Sequence, residues 1–315
     1  MKKIVLIVVS AFVLIHSFGQ KLDSIKYANG YLYYHGYGNG EPIILLSGGP
    51  GASWQQEEEV AIELSKNYRA IILEQRGTGR SIPIPFDSTT INLKAALEDL
   101  NLLLSHLHLK EAIFYGHSWG GMLAMSFATY FPKHVKALII TGTGPFKSDS
   151  YSMATQNINI RARLTQDQQL KLDSIQTKRR DGNASEADEN EFKKIYRYGR
   201  IVNHDMEDSI NSKLDAGLKS GEAARQKGSM SMLIFKDLAK IHYDLTPKFS
   251  AYKKPFFAIC GRQDPGDFVT YELKIAVPRV ELYWIQSAGH FPMFEQPEEF
   301  YKLLNALVEK GKKHP

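Results

Sequence analysis

One pentapeptide carries the residue types that acyl transfer needs: Gly116-His117-Ser118-Trp119-Gly120. The run before it, Ala112-Ile113-Phe114-Tyr115, is apolar with aromatic and branched side chains, as in a buried strand. The run after it, Gly121 to Ala128, is compatible with a helix that closes at Phe131-Pro132. A serine on a sharp strand-to-helix turn has its hydroxyl lifted above the sheet. Flanking glycines leave room for the strained backbone and the neighbouring helix. The G-x-S-x-G pattern alone is common; this context makes Ser118 the candidate nucleophile.

A serine hydroxyl is too weak an acid to attack unaided at neutral pH, so a base and an orienting acid must be found. On a fold of this kind they follow in the order Ser, acid, His. Gly261-Arg262-Gln263-Asp264 leaves the end of one apolar run and Ala288-Gly289-His290-Phe291 leaves the end of the next. Both loops fall at the carboxyl ends of parallel strands, where sites of open α/β sheets form. Asp264 is the favoured acid because it is nearest the strand end, with Asp267 as its competitor. His290 is the base; His106, His108 and His134 sit on helix ends or loops where a solvated histidine is the default. His117 adjoins the nucleophile, but neighbours on a tight turn point apart. The 10 histidines include no spaced pair that suggests a metal.

The developing oxyanion needs two preorganised N–H groups. Trp119, directly after the nucleophile, supplies one. The other is expected from Ser47-Gly48-Gly49-Pro50-Gly51, with Gly49 as the donor, because Pro50 has no N–H. This glycine run lacks the Lys-Ser/Thr pair of a phosphate loop.

The elements that must hold these residues are legible in order. Ser24 to Tyr37 alternates aromatic and polar residues around Asn29-Gly30, a hairpin signal. Pro42–Leu46, Ala70–Leu73, Ala112–Tyr115, Val135–Ile140, Phe256–Ile259 and Val280–Ile285 are apolar strands. Between them Ser53–Lys66, Asn92–His106 and the run after Ser118 have helical spacing, and Pro297–Lys310 closes the chain as an amphipathic helix. Alternating strands and helices, with strands apolar throughout, predict a mostly parallel sheet flanked by helices. Composition shifts near Pro145: residues 145–247 are polar and helical, a cap inserted into a core made of 20–144 and 248–315.

The chain has 315 residues, 43% hydrophobic, and a net charge of only +5, with no basic run interleaved with aromatics, so no nucleic-acid partner is expected. Lys2-Lys3, the apolar run Ile4–Ile15 and Ser17-Phe18-Gly19 read as a signal peptide cleaved after Gly19. The apolar run is short of the ~20 residues that span a bilayer. The expectation is an exported protein, periplasmic or secreted, without stable membrane insertion once the signal is removed. Cys260 is the sole cysteine, which excludes an intramolecular disulfide, and its place at the end of an apolar run makes it a buried structural thiol.

Taken together these residues resemble the α/β-hydrolase fold, and within it the proline iminopeptidase-like branch, peptidase family S33. That branch carries a His-Gly-Gly-Pro-Gly loop, an Asp-Gln-Arg-Gly-x-Gly-x-Ser turn, a Gly-x-Ser-Trp-Gly elbow, a Gly-Arg-x-Asp loop and a Gly-His loop. Here they stand as Ser47 to Gly51, Glu74 to Ser81, Gly116 to Gly120, Gly261 to Asp264 and Gly289-His290. Ser47 replaces the usual His and Glu74 the usual Asp, both loop-shaping positions. The resemblance implies an aminopeptidase acting on a short peptide or other small substrate through an acyl-enzyme, without metal or cofactor. Iminopeptidases grip the free amino terminus with cap carboxylates, often near cap tryptophans. Here Trp54, Trp119 and Trp284 all lie outside the cap, and Glu186, Glu189, Glu191, Glu207 and Glu222 are the carboxylates available. That leaves a carboxylesterase or lactonase as the alternative. A non-catalytic binding protein is a third reading, disfavoured because every motif member is present.

Overall fold

A computed structural model describes residues 20–148, 150–217, 221–249 and 251–313. The expected signal peptide, residues 1–19, lies outside them. Eight strands form one sheet in the order β1-β2-β4-β3-β5-β6-β7-β8. The hairpin β1 (Lys21–Tyr27) and β2 (Gly30–Tyr37) pairs antiparallel, and β2 pairs antiparallel with β4 (Arg69–Leu73). β3 (Pro42–Leu46), β5 (Ala112–His117), β6 (Val135–Thr141), β7 (Phe256–Gly261) and β8 (Glu281–Ile285) continue in parallel. In β5 every residue is buried, as an apolar run covered on both faces must be.

The helices arise where the caps and spacing predict them. Ser53 caps a 3₁₀ turn, Trp54–Glu57, that leads into α1 (Glu58–Leu64). Asn92 caps α2 (Leu93–His106), its side chain accepting from the Ala95 N–H at 2.9 Å. α3 (Trp119–Tyr130) follows the nucleophile turn. Between β6 and β7 the chain is helical: α4 (Ser150–Ala162), α5 (Gln166–Arg180), α6 (Glu186–Tyr198), α7 (Glu207–Asp215), α8 (Gly221–Lys240) and α9 (Thr246–Phe249). Then come α10 (Phe268–Ala276), α11 (Pro292–Glu295) and the closing α12 (Pro297–Lys312).

Apolar side chains fill both faces of the sheet. Ile44, Phe114 and Leu138 pack under α2 and α3 on one face, and Ile43, Ile113 and Ile139 pack under α1 and α12 on the other. The chemistry-bearing loops therefore all leave the same, carboxyl end of a rigid parallel sheet. Among the described residues no helix is long and apolar enough to cross a membrane.

Candidate active site

Ser118 sits between β5 and α3 with φ 52° and ψ −117°. A side chain at positive φ stores of order 1–3 kcal/mol of strain, which only the surrounding structure can hold in place. The Ser118 N–H donates to the Thr141 carbonyl at 2.9 Å, pinning the turn to the end of β6. A Cβ on Gly120 would meet the Leu46 carbonyl oxygen at 2.0 Å, so only glycine lets the helix start this close to β3. Trp119 is the first residue of α3, and its amide therefore has no carbonyl partner one turn back within the helix.

The His290 ring meets Asp264 in a hydrogen bond of 2.8 Å from Nδ1 to Oδ2, both groups buried. Burial pushes the Asp264 carboxyl up, but the charge and hydrogen bond of His290 and the Gly266 N–H outweigh it and hold the group at about 2. Asp264 is therefore ionised at any working pH, and fixes the His290 tautomer with Nε2 free to act. Asp267, the competing acid, instead stands at the start of α10 and is raised by burial and by the Asp264 charge.

Ser118, His290 and Gly49 border a single cavity of about 690 Å³. Asp264 lies behind His290 and does not border the cavity. Among the described residues no hydrogen bond joins Ser118 Oγ to the His290 ring. The glycine loop closes over the nucleophile: a Cβ on Gly48 would stand 3.2 Å from Ser118 Cβ.

Four polar residues to which sequence reasoning gave no role tie these loops together. Gln56 accepts the Gly48 N–H at 3.3 Å, and its amide nitrogen donates to His117 Nδ1 at 2.7 Å. His117 Nε2 donates to the His290 carbonyl oxygen at 3.0 Å. Burial, reinforced by His290, lowers His117 to about 3, so it stays neutral, one nitrogen accepting and the other donating. The expectation that His117 points away from the nucleophile needs correcting: its ring borders the same cavity and is 5.0 Å from that of His290. Gln75 does comparable work on the other flank, donating to the Ser47 carbonyl at 2.7 Å and accepting from the Trp119 indole at 2.8 Å. Glu295 accepts from the amides of Gly289 and Val202 at 2.8 and 2.7 Å, joining the histidine loop to the helical insertion. These partners are distant in sequence, and nothing in the spacing announces them.

The two motif departures are both absorbed. Glu74 is buried against His35 at 2.6 Å and accepts the Arg80 N–H at 2.6 Å, so it still shapes its turn. Ser47 is buried, and its hydroxyl finds no partner among the described residues. Cys260 is buried against Thr270, and burial pushes its thiol up to about 12, leaving it inert.

The insertion supplies the rest of the cavity wall through α5 to α8. Of the carboxylates on the helices between β6 and β7, Glu186 and Glu189 border the cavity. Glu189 is clamped by Arg179, and Glu191 pairs with Lys171 at 2.7 Å. Glu207 does not line the cavity, and the Glu222 side chain lies outside the described residues. Among the described residues no group of three or more His, Cys, Asp or Glu is disposed to hold a metal ion.

A strained serine turn, a buried His-Asp pair and a glycine loop at the carboxyl end of a parallel sheet define a hydrolase site. The chain belongs to the α/β hydrolase fold family, which matches residues 41–297. Within it the chain is similar to the proline iminopeptidase of Heyndrickxia coagulans, 26% identical over 86% of this chain and 91% of that protein. It is also 34% identical to a cis-3-alkyl-4-alkyloxetan-2-one decarboxylase of Shewanella oneidensis, over 36% of each chain. The solved structure of VinJ shares the fold, with a TM-score of 0.74 at 18% identity over 92% of this chain and 98% of that one.

Proposed function

We propose that this hydrolase works by a Ser118-His290-Asp264 triad through an acyl-enzyme, and that it is an exported aminopeptidase of the proline iminopeptidase type. The observation that carries the mechanism is the buried 2.8 Å bond from His290 to Asp264, set beside a serine on a strained turn in the same cavity. In this reading His290 Nε2 takes the Ser118 proton as Oγ attacks the substrate carbonyl. The N–H groups of Gly49 and Trp119 receive the oxyanion, and Asp264 stabilises the imidazolium. His290 then returns the proton to the departing amine as the acyl bond breaks. Water, deprotonated by His290, releases the acyl group and restores Ser118.

The peptidase reading is supported by the motif set and by relatives named proline iminopeptidase that align over most of the chain. In it residues 145–247 form the cap, and Glu186 is the cavity carboxylate without an ion pair among the described residues, available to a free amino terminus. Export rests on Lys2-Lys3, the apolar run to Ile15 and Ser17-Phe18-Gly19. A second reading, an esterase or lactonase, is favoured by the relative named for an oxetan-2-one, a cyclic ester.

The test is hydrolysis of three chromogenic substrates by the mature chain and by Ser118→Ala: a proline anilide with a free amine, its N-acetyl derivative, and a short-chain nitrophenyl ester. Cleavage of the free-amine anilide alone supports the aminopeptidase. Ester cleavage without anilide turnover replaces it by the esterase. If Ser118→Ala matches the wild type throughout, the triad is wrong.

A further inference from the structure

The cavity beside Ser118 is lined by four cations and two anions, and they are not evenly matched. Arg179 is held by Glu189, with Nε at 2.7 Å from one carboxylate oxygen. Arg197 is held bidentately by Asp215 at 2.9 and 2.7 Å. Among the described residues Arg200 has no ion pair, and the carboxylate whose charge it acts on is the buried Asp264 behind His290. The Arg200 Nη2 makes only long contacts with neutral groups, to the Gln156 amide oxygen at 3.3 Å and the Tyr196 hydroxyl at 3.5 Å. Its Nε is buried and has no hydrogen-bond partner among the described residues. The guanidinium lies over the Tyr196 ring at 4.7 Å. Lys193, also in the wall, makes one hydrogen bond among the described residues, to Asn190 of its own helix at 3.4 Å, and its charge also acts on Glu189.

An arginine offers five donors in a planar fork suited to carboxylates, and burying part of it without a directly bonded anion is costly. Its position says which half of a substrate would satisfy it. The Arg200 carbonyl accepts the His290 N–H at 2.9 Å, and Gln156, which holds the guanidinium, packs against Gly266 of the acid loop. The charge therefore stands on the His290-Asp264 side of the cavity, away from the glycine loop. In the proposed mechanism the departing group takes its proton from His290 and must leave on that side.

We propose that Arg200, assisted by Lys193, forms an anion subsite for the leaving group, so that the preferred substrates are small acyl compounds whose departing half ends in a free carboxylate, dipeptides first among them. The proposal rests on the serine-hydrolase reading and deepens it: Glu186 would face the free amine of a dipeptide and Arg200 its carboxylate.

The experiment compares two matched pairs on the mature wild-type chain: prolyl-glycine against prolyl-glycinamide, and the acetyl ester of 3-hydroxybenzoate against the same ester of 3-hydroxybenzamide. A carboxylate preference of about tenfold or more in kcat/KM is expected in whichever pair is cleaved, the size of one charge-assisted contact. In Arg200→Gln that ratio falls towards one, and Arg200→Lys restores part of it. If Arg200 merely supported Asp264, both members of a pair would slow together and the ratio would stay at its wild-type value, which would overturn the proposal. Equal cleavage of both members by the wild type would overturn it too. Calorimetric titration of Ser118→Ala with prolyl-glycine and with its amide reads the subsite without turnover and without altering Arg200. Tighter binding of the carboxylate there supports the subsite even if neither pair is hydrolysed, a result that would count against the triad alone. Equal binding overturns the subsite.

Discussion

The floor of the cavity and its helical wall are built by different means. The floor is five loops at one end of a parallel sheet, and its polar groups are buried and bonded to one another. Gln56, His117 and the His290 carbonyl form one such line. Gln75 and Glu295 each fasten two loops. The wall is α5 to α8. There α5 and α6 meet at a small apolar cluster of Leu164, Leu172 and Ile195, and α7 and α8 lend side chains such as Ile210 and Ile234 to the two main cores. Partly exposed ion pairs such as Lys178 with Asp188 do the rest. Buried hydrogen bonds fix positions to fractions of an ångström because breaking one leaves a desolvated group unpaired. Exposed ion pairs fix little. The floor is thus suited to holding a reaction geometry and the wall to varying what is held against it.

Substitutions in the floor should therefore cost far more than substitutions in the wall. Ser118→Ala is expected to lower kcat by three orders of magnitude or more, measured on whichever chromogenic substrate the wild type cleaves. Ser118→Gly should be equally inactive yet melt a few degrees higher, since glycine relieves the strain at φ 52°. Asp264→Asn should cost two to four orders in kcat with KM little moved, because the amide favours the wrong His290 tautomer. Gln56→Leu leaves the shape of the turn but strands His117 Nδ1. A loss of about tenfold in kcat is expected, and parity with the wild type would show that the Gln56-His117 line positions nothing.

Glu57 tests the same contrast through pH. Its carboxyl is fully buried, neither oxygen has a hydrogen-bond partner, and burial alone raises it to about 8. The folded chain then binds this proton more tightly than the unfolded chain does, from a reference value of 4.5. Stability must fall as pH rises from about 4.5 to about 8. Glu57→Gln should accordingly raise Tm by several degrees at pH 8 and by almost nothing near pH 5, read from thermal melts across that range. The smallest effect belongs to the wall. Asp188→Asn removes a charge that Lys178 and the Ser185 side chain hold well below the usual carboxylate range, at a partly exposed position. A Tm change within about 2 °C is expected, and a larger one would mean that the wall is as tightly specified as the floor.

Local order in the sequence was enough to determine the sheet, the flanking helices and the principal candidate residues. Strands buried on both faces must be apolar throughout, helices with one covered face must repeat at 3.6 residues, and a serine turn of this kind needs its glycines. These constraints act between near neighbours, so Asn92 at its cap and Ser118 between Gly116 and Gly120 are visible without coordinates. Asp264 was preferred to Asp267 on the same ground, by nearness to a strand end. Only the tertiary structure decided which distant side chains answer these. Gln56 and His117 are 61 residues apart and His117 and His290 are 173 apart, and their pairing comes from the order in which the sheet stacks its strands. The wall makes the same point more sharply. In the sequence Glu189 and Arg200 are each one charge among many in a polar helical stretch, the first within α6 and the second in the turn after it. Folding gives the first a partner in Arg179 and, among the described residues, leaves the second facing the cavity without an ion pair, because an ion pair depends on the packing of α5 against α6 and not on any repeat within either helix.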